Sequence, residues 1–249
     1  MKAIIVSILL AASLTLQAQE TPQQHPPVVA GIQIGTDIGG AIPFPFKHLP
    51  ERYNPYPHLT LSLGGRVGVP LTATWSLGME ITYKTISLNA DARVKNQKFQ
   101  DGAAIQYFTG SANMQQRFTI VEFPVYAKYN LPGGNRLLAG IYNGWTLDGL
   151  FRVEPLKGFT GAKADWFDAV MDENMDEMRF DDATGSWDIG LLFGYERQIF
   201  PRLDLGIRFS CGFKDIFKSG QKYFDYSMIH MRGSVVLAYD LVRVPVKTR

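Results

Sequence analysis

The chain has 249 residues, with 25 lysines and arginines against 23 aspartates and glutamates, and 46% of it is hydrophobic. A formal net charge of +2 without a basic stripe argues against nucleic acid as a partner. The lone Cys211 excludes an internal disulfide, and no stretch of about 18 apolar residues follows the N-terminal run, so no membrane-crossing helix is expected.

Met1-Lys2 gives a short positive start, and Ala3 to Leu14 is apolar apart from Ser7 and Ser13. Small and polar residues follow, a pattern that predicts a signal peptide over residues 1–18 with cleavage after Ala18. No cysteine lies near the cut, so a lipid anchor is not expected there. Residues 19–28, rich in proline and glutamine, read as a flexible leader. The single domain expected is 29–241, and 242–249 read as a C-terminal tail.

Eight strands are predicted from period-two alternation of apolar with small or polar residues. The first, 29–40, sets Ile32, Ile34 and Ile38 against Gln33, Gly35, Asp37 and Gly39. The second, 59–69, carries Leu61, Leu63 and Val67 opposite Ser62, Gly64 and Arg66. After a turn at Pro70-Leu71, the third, 74–87, opposes Trp75, Met79, Ile81 and Tyr83 to Gly78, Glu80, Thr82 and Lys84. The fourth, 116–131, opposes Val121, Phe123, Val125 and Tyr129 to Glu122, Tyr126 and Lys128.

Pro132-Gly133-Gly134-Asn135 is a strong turn signal into the fifth strand, 136–148, the least regular of the set. The sixth, 187–198, sets Trp187, Ile189 and Phe193 against Asp188, Gly190 and Glu196. The seventh, 203–214, alternates without a break from Leu203 to Lys214. The eighth, 228–241, opposes Val235, Leu237 and Tyr239 to His230, Arg232, Ser234 and Asp240.

Connections alternate in length. Long segments run near 41–57, 88–114, 149–185 and 216–226, and the remaining three connections are a few residues each. Short turns on one rim, long loops on the other and an even strand count predict an all-β fold. Its form is an eight-stranded antiparallel up-and-down transmembrane barrel with short periplasmic turns and long extracellular loops. A soluble barrel would place its apolar face inward. Here the glycines fall on the charged face, where a narrow bore crowds side chains. The aromatics Trp75, Tyr83, Tyr129, Trp145, Trp187, Tyr195 and Tyr239 sit near strand ends, as interfacial girdles do.

The charged face is balanced. Arg66, Lys84, Lys128, Arg136, Arg208, Lys214 and Arg232 stand against Asp37, Glu80, Glu122, Asp188, Glu196, Asp204 and Asp240. Buried charges need partners, so these are expected as a structural interior. Eight strands leave room for side chains or one small ligand, so a packed core is expected over a narrow polar conduit.

The segment Val121-Glu122-Phe123-Pro124-Val125-Tyr126-Ala127-Lys128-Tyr129-Asn130-Leu131, with the signal peptide and the eight-strand plan, resembles the PorT-like outer-membrane β-barrel family of Bacteroidetes. Glu122, Phe123, Pro124, Lys128 and Tyr129 carry the likeness. The resemblance implies an integral outer-membrane protein and, from the founding member, a part in type IX secretion. No residue here is specific to that role. The chain also runs on past Tyr239 and Leu241 to Val-Pro-Val-Lys-Thr-Arg, where many such barrels end on an aromatic.

Ser234 and His230 share the inward face and raise a remote reading as a lipid-modifying hydrolase, since histidine can activate serine. Enzymes of that kind expose the site to lipid, so no catalytic residue is expected. No cofactor or metal is expected either, because the acids of 172–182 lack the glycine and terminal glutamate of a calcium loop. The run 164–178 has apolar residues at near-helical spacing and predicts a short amphipathic helix over the barrel mouth. Its Trp166, Phe167 and Met171 are candidates for partner binding. The expected partners are outer-membrane lipid and envelope or secretion proteins around a monomeric barrel. A narrow transport or small-ligand barrel is the alternative.

Overall fold

A computed structural model describes residues 26–50, 52–101, 104–165, 169–171, 177–218 and 223–245. The strands are β1 (Val28–Phe44), β2 (Arg52–His58), β3 (Thr60–Pro70), β4 (Trp75–Asp101), β5 (Ala104–Leu131), β6 (Asn135–Gly161), β7 (Ala169–Met171), β8 (Met178–Arg179), β9 (Trp187–Phe200), β10 (Leu203–Gly212) and β11 (Ser227–Val244). Strands β1, β3, β4, β5, β6, β9, β10 and β11 close an antiparallel ring of eight. The seam joins β1 to β11, from Val28 opposite Val244 to Phe44 opposite Ser227.

Each of the eight predicted strands lies in the ring, but the walls are taller than the sequence suggested. The segment 88–114, expected as a loop, is mostly the paired upper half of β4 and β5, with Asp101 opposite Ala104 near its tip. The segment 149–185 likewise begins as strand, with β6 running to Gly161, and β7 and β8 pair onto it. Arg52–His58 continues the wall above Leu59 as β2, paired to the upper half of β4, and β10 ends at Gly212 rather than Lys214. The helix expected over 164–178 is corrected where that run is described: Ala169–Met171 and Met178–Arg179 are extended. Acidic residues between apolar ones mimicked a helical stripe, yet the backbone hydrogen bonds of these short strands go to β6. Trp166 and Phe167 lie outside the described residues. The signal-peptide reading also falls outside them.

Along β4 the polarity of the two faces exchanges. Below Lys84, the outward residues are Trp75, Leu77, Met79, Ile81 and Tyr83, and Ser76, Gly78, Glu80, Thr82 and Lys84 face in. Above it, Ile86, Leu88 and Ala90 face in, and Thr85, Ser87, Asn89 and Asp91 face out. Strand β5 exchanges at the same height, because Lys84 pairs with Ile120. Below that level Glu122, Tyr126 and Lys128 face in; above it Phe118 and Ile120 do.

An apolar exterior over a charged interior is the reverse of a water-soluble core and suits a wall in hydrocarbon. Trp75 to Tyr83 covers roughly 27 Å of strand, or about 20 Å of height at a tilt near 40°. Trp75, Tyr129 and Tyr239 mark the short-turn edge of this belt, and Tyr83, Trp145 and Trp187 mark the long-loop edge, each 38–58% exposed. Tyr195, expected beside them, is half-buried and donates its hydroxyl to Asn135.

The bore is filled so tightly that Tyr126, 2% exposed, needs glycines across from it. A Cβ on Gly78 would lie 2.3 Å from the Tyr126 ring, and one on Gly140 2.5 Å from the Tyr126 Cβ. Gly78→Val is therefore expected to cost about 1–3 kcal/mol through overpacking. Chemical denaturation of the refolded barrel checks this, and an unchanged midpoint would contradict the packing.

Candidate functional site

The interior carries three tiers of charge. Nearest the short turns, Arg66 of β3 reaches Asp204, Asp240 and, at 3.4 Å, Glu196. Glu196 also holds Lys128 and Arg136 at 3.2 Å each, and Arg136 closes onto Asp204. Arg243 adds a 2.8 Å contact to Asp240 at the edge. In the middle tier Arg208 grips Glu80 with two hydrogen bonds of 2.6 and 2.7 Å. Glu80 accepts two more, from Tyr126 and from Gln33 at 2.7 Å. The third tier joins Lys84 to Asp37 (3.3 Å) and Glu122 (3.0 Å), with Arg232 against Glu122 and 3.7 Å from Asp37.

Period-two alternation is what delivers these side chains to one place: every one sits on the inward phase of its strand. Asp37, Arg66, Glu80, Lys84, Glu122, Lys128, Asp188, Glu196, Asp204, Arg208, Arg232 and Asp240 are buried, and Arg136 is half-buried. All of these but Asp188 have an opposite charge within 4.0 Å, as their burial requires. Lys214 stands apart. It lies past the end of β10, half-buried, with its ammonium 4.6 Å from the Trp187 ring centre at the rim.

Above the third tier Tyr142 donates to Asp188 at 2.7 Å, and His230 meets the Phe118 ring edge-on at 4.9 Å. Ser234 donates to Asp37 at 2.6 Å. The serine hydroxyl and the imidazole thus have separate partners and form no Ser–His couple.

An apolar plug then closes the bore. Ile86, Phe118, Ile120, Phe151, Phe217 and Met228 pack together, with Phe151 and Phe217 ring centres 5.2 Å apart. Gln116 bridges the plug: it accepts from the Ala41 amide at 2.6 Å and donates to the Ala41 carbonyl at 2.8 Å. Strands β1 and β5 are not neighbours in the ring, so this side chain spans the lumen itself.

Over the plug lies a chamber of about 80 Å³. Its wall comes from β1, β2, β4, β5, β6 and β8 and the segments around Phe180 and Tyr226, and it is almost wholly apolar. Tyr53 of β2 is one wall residue, and its hydroxyl is buried with no hydrogen-bond partner among the described residues. Leaving a hydroxyl so costs about 1–3 kcal/mol. Burial pushes this phenol up to about 12, so it is a protonated donor at neutral pH. Sequence reasoning missed the chamber. All its lining residues except Met228 lie in the segments 41–57, 88–114, 149–185 and 216–226, expected as loops, and only the unbroken alternation through 86–94 points to any of them.

Among solved structures the fold is similar to Ail, the attachment invasion locus protein of Yersinia pestis, at 8% identity and a TM-score of 0.41, covering 86% of this chain and 98% of that one. Neisserial surface protein A matches at 9% identity and a TM-score of 0.35, over 85% and 97% of the two chains. OprG from Pseudomonas aeruginosa matches at 9% identity and 0.31, over 88% and 96%. No functionally curated protein matches the chain. The profile of one family, described as outer membrane protein beta-barrel domain, matches residues 17–218. With most of its length inside that match and a lipid-facing ring of eight strands, the chain belongs to the outer membrane protein β-barrel domain family.

Proposed function

We propose that the protein is a closed, non-enzymatic anchor of the outer membrane that acts through the β extension at its long-loop, extracellular end, against other envelope components. The observation supporting this is the bore itself, which among the described residues is filled by three tiers of interlocked ion pairs under an apolar plug. A conduit needs side chains that let an ion or solute leave as readily as it enters. Charges locked to one another at 2.6–3.4 Å suit a filled core instead.

The hydrolase reading loses its support where Ser234 is committed to Asp37. The likeness to the PorT-like family supports a link to protein secretion, and the signal-peptide pattern over residues 1–18 supports export to the envelope. Purified protein in planar bilayers is expected to add no steady conductance; a stable, sizeable single-channel current would overturn the closed-bore reading. Crosslinking in intact membranes tests the interaction role. Partners captured by the wild type are expected to disappear when the upper β4–β5 hairpin is cut back to a short turn, and their retention would count against it.

A further inference from the structure

We infer that the chamber over the plug is a binding site for a slender, neutral, apolar molecule with a single hydrogen-bond acceptor, of the class of a medium-chain alkyl ketone or ester. The inference goes beyond anchoring, because the site opens away from the closed bore and needs no passage through it.

Two independent observations meet here. The first is unfilled space: interiors pack to the density of organic crystals, yet Phe108, Met114, Phe151, Val153, Met178 and Met228 leave a cavity of about 80 Å³ between them. The second is the lone donor. Of the wall residues that carry polar side chains, Gln97 donates its amide to the Lys98 carbonyl at 2.9 Å, and Tyr226 stacks on Phe224 at 5.4 Å. Only the Tyr53 hydroxyl is left buried and unpartnered among them. Water suits this wall poorly, since the Tyr53 hydroxyl is the one buried, unpartnered side-chain group among the wall residues and a water needs two to four partners.

A guest with an alkyl body and one carbonyl answers both. Its methylenes fill the void, and its oxygen accepts from Tyr53. No acid or base lines the chamber, so a carboxylate or ammonium would be buried without a partner. The volume is about half that of the roughly 150 Å³ cavity that admits benzene, so the chamber takes only the carbonyl end of the chain and its first methylenes, and the rest of the chain reaches out through the open side. Methionines from three separate segments let the wall adjust to the chain.

The test is photolabelling of the full chain in nanodiscs with a 2-octanone derivative carrying a diazirine at the end of its chain, beside the same diazirine on octane. Peptide mapping is expected to find the ketone label on chamber segments such as 92–97, 108–114 and 151–155. Tyr53→Phe is expected to lower that labelling about tenfold, to the level of the octane probe, the loss of one hydrogen bond in a dry site. Ala112→Phe, which fills the space, is expected to abolish it while the barrel keeps its folded mobility on an unheated gel. Label confined to lipid-facing residues such as Ile81 and Phe123 would overturn the site. Equal labelling by ketone and octane in the wild type would overturn the assigned chemistry. Should Ala112→Phe fail to fold, the Tyr53→Phe comparison between the two probes still decides.

Discussion

Arg208→Met is expected to cost the barrel about 3–5 kcal/mol, the largest effect of any single charge removal in the bore. An exposed ion pair contributes 0–1 kcal/mol, because water replaces the partner. Here replacement is not available: the side chains of Arg208 and Glu80 are 6% and 0% exposed. Removing the guanidinium strands a carboxylate with only Tyr126 and Gln33 as donors. It also withdraws a cation lying 5.6 Å from the Tyr126 ring centre.

The pair itself need not be a net gain, since removing two charges from water is costly. Arg208→Met combined with Glu80→Gln is therefore expected to recover most of the loss, because glutamine keeps an acceptor for Tyr126. Guanidinium unfolding of the refolded protein reads both variants. A single variant within 1 kcal/mol of wild type would mean that water reaches the middle tier and that the bore is open.

Met79→Arg and Asn89→Arg are expected to separate by about 2–4 kcal/mol, although both add the same side chain to the outer face of the same strand. Met79 is 41% exposed and sits midway between Trp75 and Tyr83, at the centre of the apolar belt. An arginine there is placed in hydrocarbon. Asn89 lies above the level where the faces exchange, opposite Tyr56 and Gln115, so an arginine there meets water and costs at most about 0.5 kcal/mol. Unfolding in lipid vesicles measures the difference. Equal effects would move the membrane boundary or remove it.

The same exchange of faces explains what the sequence made legible. Where lipid lies outside, alternation sets large apolar residues against charges, and 74–87, 116–131, 187–198 and 203–214 are each readable as strand. Past Lys84 the alternation persists with its chemistry reversed: Ile86, Leu88 and Ala90 turn in and Ser87, Asn89 and Asp91 turn out. A reader tuned to the lower pattern takes the reversal for the end of the strand. The inward charges were legible one by one from phase alone, but their partners were not. Which acid meets Arg66 depends on the register of strands more than a hundred residues apart. Tyr53 was harder still, because its neighbours in the chamber come from elements that share no local pattern.

The seam between β1 and β11 has a consequence for time rather than energy. Its two strands are the first and last of the ring, so this pairing is the least local contact in the molecule. Loop-closure entropy grows only logarithmically with length, so the distance adds little to the equilibrium cost. It adds much to the wait, because non-local pairing is slow to find. In hydrocarbon an unzipped edge bares amides and carbonyls that nothing else can bond, each at several kcal/mol. The ring therefore cannot fray at its ends as an open sheet does. Once the last strand docks, escape requires many hydrogen bonds to fail together, and the lifetime of the protein in its membrane is set by that one event.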